Sequence, residues 1–428
     1  MKRLLLATTI TLFLSQSLFA KEEIPEQTRF ESLSKLTKVI GTVEKYYVDD
    51  IKLEEIVNKS LKGLMQELDA HSSYLDKKSS KEMSIQTKGE FGGLGITVGM
   101  RDSALTVISP IDDTPAFKAG IKSSDIILKI NDKSTLNMTL DEAVSLMRGK
   151  VNTDIYLTIV RKGESEPLKI KITRDIIKIQ SVFAKRIENQ KYLYLRVTSF
   201  DRKVTDGLEK AIDNNKDVEG IVLDLRNNPG GLLSQAIGVV DLFVDEGVIV
   251  SQKGRNPEDE EKFEATTSNT VTKLPLVVLV NGGSASASEI VSGALQDHKR
   301  AIVIGEKTFG KGSVQAVLPI SKDRSENIKL TIAKYYLPSG RTIQAVGVTP
   351  DIIAHAGVTT QETGSEFKIK EADLKKHLEG ELEKTEVKKP AKTEDKTNKK
   401  IISEEDVAKD NQLNTSLGIL KSLIIMNK

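Results

Sequence analysis

The region from residue 192 to about residue 350 constrains the fold most strongly, because strand and helix patterns alternate along it. Strands are predicted at 192–198, 220–225, 246–251, 275–280 and 301–305, and helices at 204–214, 232–243 and 284–296. Residues 221–225 and 276–280 are almost entirely apolar, which is typical of strands in a sheet covered on both faces. Strands that alternate with helices predict an α/β core.

The first twenty residues have the pattern of a secretory signal peptide. Lys2 and Arg3 form a basic start, residues 4–14 are apolar, and residues 15–20 contain small residues suited to cleavage. An uncleaved anchor associated with the inner membrane is the alternative, but the apolar run is short for about 30 Å of hydrocarbon. We therefore expect export to the periplasm. The chain has no cysteine, so the exported fold must depend on its core rather than on disulfides.

Residues 21–84 are predicted to form a helical region. Two apolar stripes have helical spacing: Leu36, Val39, Ile40 and Val43, then Ile56, Val57, Leu61, Leu64 and Leu68. The sequence that follows Leu68 breaks the second stripe. It contains His71, which we interpret as a hydrogen-bonded loop residue rather than a functional one. The net charge of +2 is spread along the chain and gives no basis for nucleic-acid binding.

A β-rich module is predicted at residues 85–174. A glycine turn at 92–95 leads into an alternating strand, residues 104–109 and 154–160 also alternate, and Thr139 precedes a helix at 140–147 as an N-cap. Such a turn presents N–H groups to a terminal carboxylate, and the strand edge can pair with an extended peptide. With residues 114–131 beside it, the module resembles a PDZ domain. For the individual glycines, an ordinary hairpin turn is the alternative.

The composition shifts near the C-terminus. Residues 356–400 form a predicted charged linker, and residues 401–428 a predicted amphipathic helix. Ser403 stands at a position to cap this helix. Its apolar face is formed by Leu413, Leu417, Leu420 and Ile424. We expect that face to dock on the body of the protein or on a second subunit.

Two dense motifs point to covalent catalysis: Asn281-Gly-Gly-Ser-Ala-Ser-Ala-Ser-Glu289 and Thr308-Phe-Gly-Lys-Gly-Ser-Val-Gln315. A serine hydroxyl needs a base to take its proton. Of the four histidines, only His298 is close in sequence to the serines. It lies about ten residues away, or roughly 15 Å along a helix, whereas proton transfer needs about 3 Å. Composition alone does not exclude His298 as the base for these serines, but its distance from them makes it a poor candidate.

A lysine can serve as the base if it is neutral. An unperturbed lysine has a pKa of about 10.4, so burial must lower the pKa by about three units. Lys311 has a suitable setting, because apolar residues flank it and glycines on both sides let the backbone approach closely. Lys307 lacks the glycine frame, and we interpret it as a surface charge. The amide oxygen of Gln315 is placed to orient Lys311 without adding charge.

The serine candidates are Ser284, Ser286 and Ser288, with Ser284 as the predicted N-cap of the helix. A helix N-terminus favours the nucleophile through its dipole and through free N–H groups that bind an oxyanion. Ala287 N–H is one candidate donor. The Pro-Gly-Gly turn at 229–231 is a second source, and a tight strand-to-helix turn is its alternative reading.

Five motifs in the same order closely match the carboxy-terminal processing proteases, S41-type serine peptidases with a PDZ domain before the core. They are Leu68-Asp-Ala-His-Ser-Ser-Tyr-Leu75, Phe91-Gly-Gly-Leu-Gly95, Leu225-Arg-Asn-Asn-Pro-Gly-Gly231, Gly283-Ser-Ala-Ser-Ala-Ser-Glu-Ile290 and Thr308-Phe-Gly-Lys-Gly-Ser-Val-Gln315. The resemblance implies a multidomain α/β protein: N-terminal helices, an inserted PDZ domain, a ClpP/crotonase-like peptidase core at 175–355 and a C-terminal helix. Ala70 departs from the proline of many relatives, which changes loop stiffness only.

The resemblance also assigns roles to residues. Ser286 would be the nucleophile, Lys311 the base, and Gln315 would position the lysine. The oxyanion donors fall at Ala287 and at Gly231, favoured slightly over Gly230. Asp297 matches an auxiliary aspartate of some members, although a structural residue at the helix end is an equal alternative. The carboxylate-binding turn of the PDZ domain maps to Gly93, Leu94, Gly95 and Ile96.

We therefore expect a periplasmic serine endopeptidase that recognises apolar polypeptide C-termini through its PDZ domain and cleaves the polypeptide. A regulatory lipoprotein or adaptor is a candidate partner, and the terminal amphipathic helices suggest a homodimer. No metal or cofactor is expected. The alternatives are a non-catalytic PDZ chaperone or scaffold, and an acyl-transferring or hydratase-type enzyme, for which we find no CoA- or nucleotide-binding signature.

Overall fold

The computed structural model describes residues 26–101, 104–357 and 401–426 of the 428-residue chain. The predicted signal peptide lies outside the described residues, as does the predicted linker beyond residue 357. Within the described residues, no helix combines the length and apolar character needed to cross a membrane.

The described helices are α1 (Glu26–Tyr46), α2 (Leu53–Gln66), α3 (Lys77–Lys88), α4 (Pro115–Lys118), α5 (Leu140–Met147), α6 (Val204–Asp213), α7 (Leu233–Asp241), α8 (Ala287–Asp297), α9 (Glu404–Ala408) and α10 (Asn411–Met426). The described strands are β1 (Ser73–Leu75), β2 (Glu90–Gly93), β3 (Ile96–Arg101), β4 (Ala104–Pro110), β5 (Ile126–Ile130), β6 (Lys133–Ser134), β7 (Asp154–Val160), β8 (Leu168–Thr173), β9 (Asp175–Lys178), β10 (Val182–Ile187), β11 (Tyr192–Val197), β12 (Gly220–Asp224), β13 (Glu246–Lys253), β14 (Glu261–Thr266), β15 (Leu276–Val280), β16 (Ile302–Gly305), β17 (Ser313–Pro319), β18 (Asn327–Tyr336), β19 (Ile352–Ile353) and β20 (Ile401–Ile402).

The chain divides into two compact units, one ending at Leu64 and one beginning at Met65. The first contains α1 and most of α2, the two helices expected in this region. Helix α1 exposes large apolar side chains along its length, including Phe30, Leu33 and Leu36. Their exposure leaves an apolar surface on this unit.

The predicted β-rich module folds around a six-stranded sheet in the order β3-β4-β5-β7-β8, with β6 paired to β5. Its core includes the fully buried Ile127, Ile155 and Leu157. Thr139 caps α5 as predicted, because its Oγ1 accepts from Glu142 N and the Glu142 carboxylate accepts from Thr139 N. Strand β2 lies at the start of the module's sequence and β9 at its end, and the two pair as an antiparallel ribbon.

The α/β core contains a seven-stranded sheet in the order β19-β16-β15-β12-β11-β10-β20. Its central strands β11, β12, β15 and β16 run parallel. In β12, Ile221 and Leu223 pack with α6, α7 and α8, whereas Val222 faces the cluster that contains α10. Both faces of the sheet are covered, which confirms the prediction from the apolar strands.

A second sheet was not anticipated from the sequence. Strands β1, β18, β13 and β14 pair antiparallel, and β17 pairs with β18. The strand predicted at 246–251 is present as β13, but it belongs to this sheet rather than to the main one. Many residues of β18 are half-buried rather than buried, so this strand lacks the apolar run that marks the central strands.

The C-terminal segment forms two helices where one was predicted. Ser403 caps the short helix α9, so its predicted capping role applies to a separate element. Asp410 then interrupts the helix, and its carboxylate accepts from Leu413 N at 3.0 Å at the start of α10. The predicted face docks on the core sheet, with all four of its apolar residues buried: Leu413, Leu417, Leu420 and Ile424.

Candidate active site

Three loops meet at one edge of the main sheet. They follow β12, β15 and β16, which are neighbouring parallel strands. The carboxyl ends of such strands lie together, and this edge is where open α/β sheets bind ligands. The loops contain the Pro-Gly-Gly turn, the serine run and the Phe-Gly-Lys-Gly motif. The fold therefore brings three of the sequence motifs to one place.

The first two loops are locked together by asparagines. Asn281 Nδ2 donates to Asn227 Oδ1 at 2.9 Å, and Asn227 N donates to Asn281 Oδ1 at 2.8 Å. The Asn228 carbonyl accepts from Ala285 N at 3.0 Å. These bonds fix the turn at 225–231 against the serine run.

Two of the three candidate serines also hold the serine run against the turn at 225–231. Ser284 Oγ donates to Leu225 O, and Ser288 Oγ donates to Asn228 O, both at 2.8 Å. Ser286, not Ser284, is the N-cap of α8, so the predicted N-cap was two residues early. The reason is that the Ser284 hydroxyl is engaged by the preceding turn, and helical geometry begins only at Ala287.

Ser286 has an unusual backbone conformation. Its φ is +54° and its ψ is −111°, although a non-glycine residue with positive φ is uncommon. The residue is 7% exposed and lies on a sharp turn between strand β15 and helix α8. Strain of this kind concentrates at functional sites. The conformation places the serine at the helix N-terminus, where the dipole favours negative charge.

The candidate oxyanion donors lie beside Ser286. Gly230 N donates to Asn228 Oδ1 at 2.9 Å, so this N–H group is not available to bind an oxyanion. The Gly231 and Ala287 N–H groups have no hydrogen-bond acceptor among the described residues. A Cβ on Gly230, at φ +102°, would lie 2.8 Å from Ala285 O and 3.0 Å from Ala287 N. This turn therefore needs glycine to approach the serine so closely.

A buried carboxylate that sequence reasoning did not assign connects the serine to the lysine. Glu289 Oε2 accepts from Ser286 N at 2.8 Å and from Lys311 N at 2.9 Å. The two backbone nitrogens therefore cannot be farther apart than the sum of these distances. The signal was present in the sequence, because an acid three residues after an N-cap serine is the capping-box pattern.

The other oxygen of Glu289 is also fully used. Glu289 Oε1 accepts from Thr308 Oγ1 at 2.6 Å and from Gly310 N at 2.7 Å. The Thr308 hydroxyl in turn accepts from Val348 N, so its proton is directed to the carboxylate. Burial raises the pKa of Glu289 to about 7, even though these hydrogen bonds favour the ionised form. Glu289 thus holds the Phe-Gly-Lys-Gly loop against the serine turn.

Lys311 is half-buried, whereas Lys307 is exposed as expected for a surface charge. The glycine after Lys311 allows the close backbone approach that the sequence predicts. A Cβ on Gly312 would lie 2.6 Å from Gln344 N, and Gly312 N donates to Gln344 Oε1 at 2.9 Å. Neighbouring Val314 is buried in the core.

Gln315 lies in β17 directly after a bulge, and Ser313 and Val314 pair with β18 before that bulge. Its Nε2 donates to Ser313 Oγ at 2.9 Å and to Thr331 Oγ1 at 3.3 Å. Thr331 Oγ1 donates to Asp69, which also accepts from His71 N at 2.7 Å. This chain ties Gln315 to the loop that contains His71. It leaves the Gln315 amide oxygen as the atom suited to accept a hydrogen bond.

The remaining candidates are placed away from the serine. His298 is the C-cap of α8, and its Nε2 lies 2.8 Å from Val248 O. Asp297 pairs with Arg341 at 2.8 Å and accepts from Ser339 N at 3.0 Å. These contacts favour the structural alternative for Asp297.

The predicted carboxylate-binding turn is a tight backbone feature. Gly95 has φ +77°, and a Cβ there would lie 2.3 Å from Thr114. The N–H groups of Leu94 and Gly95 have no acceptor among the described residues. Gly93 ends β2, and Ile96 begins β3, the edge strand of its sheet. The free edge and the free N–H groups are adjacent.

An ion-pair network supports the turn at 225–231 from the other face of the sheet. Arg226 lies 2.6 Å from the buried Asp224 and 2.8 Å from Asp410 of the C-terminal segment. Its Nη1 donates to Gln412 Oε1 at 3.0 Å, and Tyr194 donates to Asp224 at 2.7 Å. Sequence reasoning missed this network because its members are far apart in the chain.

Comparisons with known proteins show what the chain is similar to. The model of peptidase family S41 matches residues 191–354, and a PDZ domain model matches residues 92–172. A carboxy-terminal-processing protease of Bartonella bacilliformis is 44% identical over 84% of this chain and 83% of the relative. The carboxy-terminal processing protease CtpA of Bacillus subtilis is 35% identical over 81% of this chain and 74% of the relative.

Proposed function

The chain belongs to the carboxy-terminal processing proteases, which are serine proteases of peptidase family S41 with a PDZ domain, and we propose that it works with a serine–lysine pair. Ser286 is the nucleophile and Lys311 the base. The observation that carries the proposal is the Glu289 carboxylate, which binds the backbone nitrogens of both residues.

In the acylation step, neutral Lys311 takes the proton of Ser286 Oγ as this oxygen attacks the scissile carbonyl carbon. The tetrahedral oxyanion is bound by the Gly231 and Ala287 N–H groups, which have no other acceptor among the described residues. The C–N bond then breaks, and Lys311 gives its proton to the leaving amine. The Gln315 amide oxygen orients Lys311.

Deacylation uses the same groups. Lys311 takes a proton from water, whose oxygen attacks the ester carbonyl of the acyl-enzyme. The same N–H groups hold the second oxyanion. Collapse releases the new C-terminal carboxylate and returns the proton to Ser286. Asp297 serves the structure in this scheme, because Arg341 and Ser339 N–H hold its carboxylate.

The PDZ domain selects polypeptides with apolar C-termini. The terminal carboxylate binds the turn formed by Gly93, Leu94, Gly95 and Ile96, and the peptide extends the sheet along the free edge of β3. The free Leu94 and Gly95 N–H groups support this assignment.

We further propose that the protein is exported to the periplasm by residues 1–20 and that it forms a homodimer. The exposed apolar face of α1 supports the dimer. A regulatory lipoprotein or adaptor is proposed as a partner. The proposed domains are 21–84, 85–174, 175–355, 356–400 and 401–428.

Peptide cleavage tests this function. A peptide with a free apolar C-terminus should be cleaved by the wild type, and both Ser286→Ala and Lys311→Ala should lose activity by about 10³-fold or more. Lys307→Ala, which changes the exposed neighbouring lysine, should keep it. C-terminal amidation of the peptide should raise KM. Wild-type turnover by Ser286→Ala would contradict the proposal.

A further inference from the structure

A cleft of about 1060 Å³ lies between the PDZ domain and the catalytic core. On the PDZ side it is lined by Phe91 and by the residues that follow α5, including Arg148. On the core side it reaches Leu232, which follows the proposed oxyanion donor Gly231, and Gln315. The cleft therefore borders both the PDZ domain and residues next to the proposed oxyanion turn.

The charge on the cleft walls is strongly one-sided. Its lining contains one carboxylate, Glu90, which is already paired with Lys203. The cationic residues of the lining are Lys77, Lys81, Lys88, Arg148, Arg202 and Arg324. None of these six forms an ion pair with a carboxylate of the described residues. Five are exposed, and the half-buried Arg148 stacks on the Phe91 ring at 4.6 Å.

This excess is local. The whole chain has 63 lysines and arginines against 61 aspartates and glutamates, so the surface in general is balanced. Unpaired cations around one cleft repel one another, and a cleft lined by one sign of charge concentrates ligands of the opposite sign. Apolar side chains, including Met83, Ile85 and Ile176, share the same lining. The cleft therefore suits an extended chain that carries carboxylates and apolar groups.

We infer that the substrate runs through this cleft from the PDZ domain to Ser286, and that its segment between the PDZ-bound terminus and the scissile bond is acidic. Lys81 and Arg202 are the specificity-determining residues for this segment. The inference rests on the proposed function, since it assigns a route to the substrate. The proposed function requires an apolar C-terminus, which binds to the PDZ domain. The inference adds a second requirement, acidic residues in the segment that precedes this terminus.

Binding to the full-length Ser286→Ala protein tests the inference without requiring turnover. Two labelled peptides share one apolar C-terminus and one N-terminal half, and their intervening segments carry either four glutamates or four lysines. Fluorescence anisotropy should give a Kd about tenfold lower for the acidic peptide in about 50 mM salt. The difference should shrink in about 500 mM salt, because the Debye length falls to a few ångströms.

Matched variants locate the effect. In the Ser286→Ala background, Lys81→Gln with Arg202→Gln should remove most of the preference for the acidic peptide. Lys210→Gln, an exposed cation on α6 outside the cleft, should leave it unchanged. Circular dichroism of each variant confirms folding, and single substitutions at Lys81 and Arg202 replace the pair if the double variant is unfolded.

The outcomes separate the two proposals. Equal Kd values for the two peptides, or a preference that survives Lys81→Gln with Arg202→Gln, would overturn the acidic-segment inference. Failure of the wild-type protein to cleave either peptide would overturn the proposed function, while the measured Kd values would still decide the charge preference.

Discussion

Glu289 is the residue on which the geometry of the site depends most. Its two oxygens accept four hydrogen bonds, two from the serine and lysine backbones and two from Thr308 and Gly310. The side chain is fully buried. A carboxylate can satisfy four donors, but an amide presents N–H groups to some of them. Glutamine is therefore a nearly isosteric replacement that breaks this junction.

Glu289→Gln should lower kcat by about 10² or more, because the serine and lysine lose a shared anchor and small displacements of reacting groups are costly. The substitution lies outside the PDZ domain, so KM should change little. Steady-state kinetics at neutral pH measures both. A wild-type kcat would show that the carboxylate does not position the pair.

The same carboxyl predicts a pH dependence of stability. Burial raises the pKa of Glu289 from 4.5 to about 7. The unfolded chain releases this proton near pH 4.5, whereas the native state holds it until about pH 7. The stability that the neutral carboxyl contributes is therefore complete below pH 4.5 and is lost as the pH rises through 7, by roughly 3 kcal/mol in total.

Urea unfolding of the wild type and of Glu289→Gln at pH 4.5 and pH 8 measures this effect. The destabilisation caused by the substitution should be smaller at pH 8 by roughly 3 kcal/mol. Glu82→Gln, which removes an exposed carboxylate on α3, is the control for the loss of one charge, and the effect at Glu289 is compared with it. A destabilisation that grows with pH would mean that the hydrogen bonds outweigh burial.

At the scale of elements, the C-terminal segment supports the proposed oxyanion turn. Asp410 stands between α9 and α10, caps α10 and pairs with Arg226 of the turn. Burial raises the pKa of Asp410, but Arg226 outweighs this and holds the pKa below its usual range. The ion pair therefore persists at neutral pH and links α10 to the turn that contains Gly231.

Asp410→Asn isolates the charge, because asparagine keeps the capping ability. We expect a loss of about 1–3 kcal/mol in stability and a several-fold lower kcat with little change in KM. Thermal unfolding and kinetics measure the two effects. Glu405→Gln changes an exposed carboxylate of α9 that pairs with Lys409 and should cost little stability. Equal effects of the two substitutions would rule out a special role for Asp410.

Elements with strong local signals were predictable from the sequence. The nearly continuous apolar residues of β12 and β15 predict these strands, and the pair of Thr139 and Glu142 predicts the start of α5. The strand β18 escaped prediction because half-buried residues do not form an apolar run. The break before α10 was not predicted, because the sequence pattern indicates one helix through this region. In the structure, Asp410 ends that continuity by capping α10.

At the scale of the whole molecule, the proposed site exists only in the folded chain. The turn at 225–231, the start of α8, the loop at 308–312 and the C-terminal segment are separated by long stretches of sequence. The motifs identified the residue types, but neither Glu289 as a bridge nor the Arg226 network follows from spacing alone. Both depend on parallel strands that bring distant loops to one edge.

A fluorophosphonate probe followed by mass spectrometry tests the central claim most directly, because it reports which serine is activated. In the native protein we predict a single adduct on Ser286. The adduct should be absent from Lys311→Ala and from urea-unfolded protein, and present in Lys307→Ala. Labelling of another serine, or undiminished labelling of Ser286 in Lys311→Ala, would contradict catalysis by a Ser286–Lys311 pair.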